Sequence, residues 1–145
     1  MDVRALRSRA DENSSKMNDI LRWAIRFHGH LGPFLVLGLK AGFRAVELFG
    51  RNPFKLKAIV TLRRKLPYTC FLDGIQFSTG CTLGKGNIEV VEGDGIKVRF
   101  IYEDKELTLR VKEKVLREAL NAKDLERYAS KLLNLPSSKL FIERH

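Results

Sequence analysis

Three observations on this 145-residue chain predict an α+β fold. Apolar residues recur at helical spacing as far as Phe49, and from Lys55 the period shortens to that of a strand. Three short β-branched or aromatic runs with turn residues between them then fill residues 88–111, before helical spacing returns.

Each element has its own signals. Ser14-Ser15 is placed to cap a helix with Met17, Ile20, Leu21, Ala24 and Ile25 on its apolar face and Trp23 and Phe27 alongside. Residues 1–13 read as a polar leader, and residues 14–145 as a single α+β domain. His28-Gly29-His30-Leu31-Gly32 interrupts the helix, and Pro33 suits the first position of a second one, Phe34 to Phe49, which Gly50 stops. Gly38 and Gly42 lie four apart on one face of it, which predicts close packing by another backbone. Ala58 to Leu62 reads as a strand followed by Arg63-Arg64-Lys65. After Pro67 a short helix is expected over Cys70 to Thr79, then a glycine-rich loop over Gly80 to Asn87.

Ile88 to Val91, Ile96 to Tyr102 and Leu107 to Val111 are the three strands of the β-rich stretch. Gly93-Asp94-Gly95 and Glu103-Asp104-Lys105 sit between them as hairpin turns, so a three-stranded meander is predicted. Helices are expected at Lys112–Leu120 and Leu125–Leu133, and Pro136 closes that segment. Lys139–Ile142 reads as a terminal strand.

Composition narrows the function classes. Hydrophobic residues at 44% can build a core, and no apolar run approaches the roughly 20 residues of a membrane span. The start of the chain lacks a secretory signal, and two cysteines are no disulfide framework; a reducing cytoplasm is the expected setting. A single Gln among many Lys, Arg and Glu points toward a thermophile. The net charge of +10 is concentrated: residues 20–72 hold ten bases and one acid, Glu47, whereas residues 73–145 hold thirteen bases and twelve acids. One locally basic segment argues against a uniformly basic nucleic-acid binder.

Inside the body of the chain only His28, His30, Cys70 and Cys81 are strong soft-metal ligands. Two residues apart on a continuous helix point about 200° apart, but a break at Gly29 removes that obstacle. The plainer alternative is one imidazole capping the helix and the other in solvent. Cys70 reads equally as a small buried hydrophobe. Cys81 lies between Gly80 and Thr82, near Lys85, where loop amides and a cation favour a thiolate nucleophile. Asp73 could then orient a histidine base in a Cys-His-Asp arrangement. The eleven-residue spacing of the cysteines is no zinc-finger signature, and Gly80–Lys85 departs from a P-loop in spacing, in Gly86, and in the strand that follows.

His28-Gly29-His30-Leu31-Gly32-Pro33, Cys70-Phe71-Leu72-Asp73-Gly74-Ile75-Gln76 and Thr79-Gly80-Cys81-Thr82-Leu83-Gly84-Lys85-Gly86-Asn87 together resemble the motifs of the FmdE family, that of the formylmethanofuran dehydrogenase E subunit, over roughly residues 18–115. The resemblance implies helices on one face of a mainly antiparallel mixed sheet, similar to the substrate domain of glyceraldehyde-phosphate dehydrogenase, and a homodimer. It implies that His28, His30, Cys70 and Cys81 converge on a divalent metal, with zinc suited to N and S donors. Alternatively Cys81 acts as nucleophile, His30 as base and Asp73 as orienter. Gln76 and Lys85 are then ligand-binding candidates, and Arg64 and Lys65 a positive wall attracting a small anionic substrate or cofactor. Two departures stand out: Gly32 occupies a position where the pattern often has Cys, and no cysteine follows Cys81 to form the C-terminal zinc finger of many relatives.

Whether such a protein is itself an enzyme, as a relative of a formylmethanofuran dehydrogenase-type oxidoreductase, is open on sequence. A non-catalytic accessory subunit docking a partner metalloenzyme is the alternative. Nucleic-acid binding through residues 51–65 is disfavoured, because aromatics are sparse there and no recognised module is present.

Overall fold

The computed structural model describes residues 18–145. The leader over residues 1–13, the Ser14-Ser15 cap and Met17 lie outside the described residues.

A first helix (α1, residues 18–28) ends where the Gly29 N–H donates to Ile25 O at 2.8 Å, with Gly29 at φ +113°. That dihedral suits glycine and turns the chain sharply. Gly32 is extended and Pro33 opens α2 (Pro33–Phe49), as its spacing predicts; Gly50, at φ +78°, closes it. Strand β1 (Leu56–Leu62) leads to α3 (Cys70–Thr79), and that helix returns the chain to β2 (Ile88–Glu92). Strands β3 (Lys97–Tyr102) and β4 (Lys105–Val111) follow, then α4 (Glu113–Asn121), α5 (Leu125–Leu133), the single turn α6 (Ser137–Leu140) and β5 (Phe141–Arg144).

The sheet is five-stranded and mixed, in the order β2-β1-β3-β4-β5. Only β1 and β2 run parallel, joined through α3; the other three pairings are antiparallel. The expected meander over residues 88–111 is therefore corrected. Strand β1 lies between β2 and β3, and Gly93-Asp94-Gly95 is a bridge across the end of β1 instead of a hairpin turn. The Gly93 N–H donates to Leu62 O at 3.1 Å, and a Cβ on Gly93 would stand 2.5 Å from the Thr61 methyl. A larger residue there would have to displace the Thr61 side chain. The expected strand over Lys139–Ile142 is shifted as well: Lys139 and Leu140 are helical. Leu140 and Phe141 are consecutive and both buried, which the two-residue alternation of a strand does not allow.

One sheet face, carrying Leu56, Ala58, Val60, Leu62, Val98, Phe100, Leu107, Leu109 and Val111, is buried in the main core. The alternate residues, among them Lys57, Thr61, Lys97, Arg99, Thr108 and Arg110, lie on the opposite face, which no helix among the described residues covers. Helices α2 and α3 pack closely along the Gly38/Gly42 face, as that spacing predicts: backbone meets backbone at Gly38, while Gly42 faces the Ser78 side chain. A Cβ on Gly38 would fall 2.9 Å from the Gly74 Cα, and one on Gly74 would fall 2.5 Å from the Leu39 N. Among the described residues no helix is long and apolar enough to cross a membrane.

Candidate functional site

The turn between α1 and α2 and the first turn of α3 come together at the side of this helix crossing. His28, the last residue of α1, approaches Asp73 on α3, with Nδ1 and Oδ2 2.7 Å apart. Both are substantially enclosed, with side-chain exposures of 11% and 30%. Donation from the Nδ1–H to the carboxylate leaves Nε2 as the free nitrogen of the ring. Residues 45 apart in sequence are paired here because Gly38 and Gly74 let α3 lie close against α2.

His30 is exposed, and its ring centroid lies 5.4 Å from that of His28. Its imidazole folds over Gly32, where a Cβ would stand 2.7 Å from the His30 Cε1. Glycine at this position makes room for the ring. Cys70 opens α3 and is half-buried; burial pushes its thiol up, and the Asp73 charge acts in the same direction. His28 and Cys70 are shared by two adjoining cavities. One, about 340 Å³, is lined also by Thr69, Asp73, Gln76, Leu83, Ile88 and Val90. The other, about 350 Å³, is lined also by His30, Pro33, Pro67, Leu120 and Leu125. Both walls are chiefly apolar with a few convergent polar groups, the usual make-up of a small-molecule site.

Other expected site residues fall elsewhere. Cys81 is fully buried, and its thiol donates to Leu56 O at 3.3 Å. Burial pushes this thiol up, outweighing the Thr79 hydrogen bond and the Lys85 and Arg51 charges that act downward. The core behind the loop thus opposes the thiolate that the loop's own chemistry favours. Cys81 lines neither cavity. Lys85 Nζ bonds the Thr82 hydroxyl at 2.9 Å and rests over the Phe54 ring. Gln76 does line the first cavity, and its side-chain oxygen accepts from the Leu83 N–H at 3.3 Å. Arg64 and Lys65 border a separate hollow with Arg63, Glu92 and Asp94, so they are not a wall of the His28 cavities.

Among the described residues no three His, Cys, Asp or Glu side chains gather as a metal-holding group. With the Cys81 thiol turned to Leu56 O, the expected four-ligand zinc set does not fit this arrangement.

Asn87 carries weight that its loop position did not announce. Its Nδ2 donates to Pro53 O at 2.6 Å and Leu56 O at 3.1 Å, while its Oδ1 accepts from the Thr82 N–H at 2.9 Å. It pins the glycine-rich loop to the start of β1. The glycine-rich sequence around it gave no signal of that.

Two comparisons place the chain among known proteins. The family model described as "FmdE, Molybdenum formylmethanofuran dehydrogenase operon" matches residues 27–142, which contain His28, Cys70 and Asp73. A curated relative from Archaeoglobus fulgidus, named "Probable S-adenosyl-L-methionine-binding protein", is 34% identical over 76 residues. Those residues are 51% of this chain and 21% of the relative, so the match spans about a fifth of the relative's length.

Proposed function

This chain belongs to the FmdE family, related to formylmethanofuran dehydrogenase, and from that premise we propose that the paired cavities hold a small organic ligand with one anionic group. The His28–Asp73 pair is the observation that carries this reading. A carboxylate that fixes one ring nitrogen makes the other a directed group, able to give or take a proton or to hydrogen-bond a ligand oxygen. Leu72, Leu83, Ile88 and Val90 offer apolar contact to the rest of the ligand. Cys70, held as the neutral thiol, supplies packing and a weak hydrogen bond.

The name of the A. fulgidus relative makes S-adenosyl-L-methionine, whose carboxylate is the anionic group, the first probe. Calorimetric titration of wild type, His28→Ala and Asp73→Asn tests the reading, with formate as a second probe. Saturable binding that weakens about tenfold or more in both variants is expected, the loss of roughly one charge-assisted hydrogen bond. Binding of either probe that both variants retain in full would overturn the role of the dyad, and absence of binding by both probes would overturn the ligand class. Zinc that binds stoichiometrically and needs His28 would replace this reading with a metal site.

Trp23 and Phe27, exposed at 63% and 69% beside Phe77, favour a second reading in which α1 docks another chain. Light scattering on wild type and Trp23→Glu separates the two possible occupants. A dimer that becomes a monomer assigns the face to a second copy, while a monomer in both is what an accessory protein for a different enzyme requires.

A further inference from the structure

The uncovered sheet face holds a group of cations that the His28 site does not use. Lys97 on β3, Thr108 and Arg110 on β4, and Ile142 and Arg144 on β5 line a hollow of about 360 Å³. Lys97 and Arg110 are direct partners in the β3–β4 register, and Thr108 is opposite Arg144 in the β4–β5 register. Like charges placed directly across a ladder destabilise it. Sheets tolerate such a pair best where something negative is present between them.

No side chain among the described residues supplies that charge. Glu106, the nearest acid along the open face of β4, is held by Arg99 in two bonds of 2.6 and 3.1 Å. Glu143, next to Arg144 in sequence, turns to the helical face and is held by Arg44 in two bonds of 2.7 and 2.9 Å. Glu89, on the edge strand β2 at the other end of the sheet, pairs with Lys57 at 3.8 Å. Lys97, Arg110 and Arg144 form no ion pair among the described residues, whereas Arg44, Lys55, Lys57, Arg63 and Arg99 each do.

We propose that this hollow is a binding site for a small, multiply charged anion of the phosphate-ester class, held by the Arg110 and Arg144 guanidiniums and the Lys97 ammonium. Two planar guanidiniums offer paired N–H donors to tetrahedral oxyanions, and the Thr108 hydroxyl adds a neutral donor. The turn at Gly95 borders the Arg110 guanidinium: a Cβ there would lie in ordinary contact with the Arg110 Nη2, at 3.5 Å. A nucleic-acid strand is the less suitable ligand: the uncovered positions of the strands include no Phe, Tyr or Trp on which a base could stack. The site lies on the opposite face of the sheet from the His28 cavities and does not depend on them.

Titration of the full chain with inorganic pyrophosphate, against sodium chloride at matched ionic strength, is the test. Saturable binding of pyrophosphate is expected, weakened about tenfold in Arg110→Gln and in Arg144→Gln and unchanged in Arg64→Gln, which lies in another hollow. Without anion at low salt, Lys97→Thr is expected to melt higher than wild type, since it removes the cross-strand repulsion. Pyrophosphate acting no more strongly than chloride overturns the proposal. So does binding that survives both arginine substitutions, or a single-stranded oligonucleotide that binds more tightly than pyrophosphate and is lost in the same variants.

Discussion

Substituting Gly74 by Ala probes the crossing that places Asp73 beside His28. A Cβ at Gly74 would meet the Leu39 N at 2.5 Å and the Gly38 C at 2.7 Å, and the Leu35 carbonyl closer still. Ordinary contact begins near 3.4 Å, so α2 and α3 must separate by roughly 1 Å. The atoms in the way are helix backbone and cannot rotate aside. Overpacking costs about 1–3 kcal/mol where side chains can yield, and here the upper end applies. Ala regains roughly 1 kcal/mol of helix propensity. A net loss of about 2 kcal/mol follows, which lowers a urea midpoint by about 1 M at an m-value of ~2 kcal/mol/M. Gly84→Ala is the control: its Cβ would meet nothing closer than the Thr82 Oγ1 at 4.0 Å, so a change within about 0.5 kcal/mol is expected. A Gly74→Ala midpoint equal to or above that of wild type would refute the close-crossing argument.

Two further outcomes follow from the charges and the thiols. The Arg44 guanidinium, more than any other group, holds the Glu143 carboxyl down to about 2. A carboxylate lowered on folding contributes stability above its ordinary value near 4.5, and that stability is lost as pH falls toward about 2. In Arg44→Gln the fall in unfolding free energy between pH 5 and pH 2.5 should shrink by about 1–2 kcal/mol, after screening at a side chain a quarter exposed; an identical pH profile would count against the pair. Both thiols are pushed up by burial, so a disulfide reagent at neutral pH should label native protein slowly, Cys70 before Cys81, and Asp73→Asn should speed Cys70. Cys81 labelling first would contradict its place in the core.

The helix Cys70–Thr79 was legible because its signals are local: a proline before it, helical spacing within it, and Gly80 at φ +78° to end it. The close approach at Gly38 and Gly42 was equally legible, since two glycines four apart leave one helix face without side chains. The strand order was not legible. Gly93-Asp94-Gly95 has the composition of a hairpin turn whether it joins neighbours or spans a third strand, and only the β1–β2 pairing through α3 decides between them. At the site, the HGH break and the Cys70–Gln76 motif both pointed to residues that do meet. The burial of Cys81 is not legible in the sequence, because its neighbours there are loop glycines, while its neighbours in space are Leu56 and the core.

The charge pattern shows why site electrostatics resist a linear reading. Ten bases against one acid in residues 20–72 suggest a positive surface there, yet the fold carries acids from the second half to them. Arg44 meets Glu143, 99 residues away; Lys55 meets Glu103; Lys57 meets Glu89 through the parallel β1–β2 pair; Arg63 meets Asp94. Each such contact takes a carboxylate out of the segment that looked balanced. Lys97, Arg110 and Arg144, which have no acidic partner among the described residues, then converge because β3, β4 and β5 are consecutive in the sheet. A segment with nearly no net charge thus yields the more coherent positive surface. The Arg64→Gln and Arg110→Gln variants set the linear prediction against the folded one, since each removes one positive charge and only the second should weaken pyrophosphate binding.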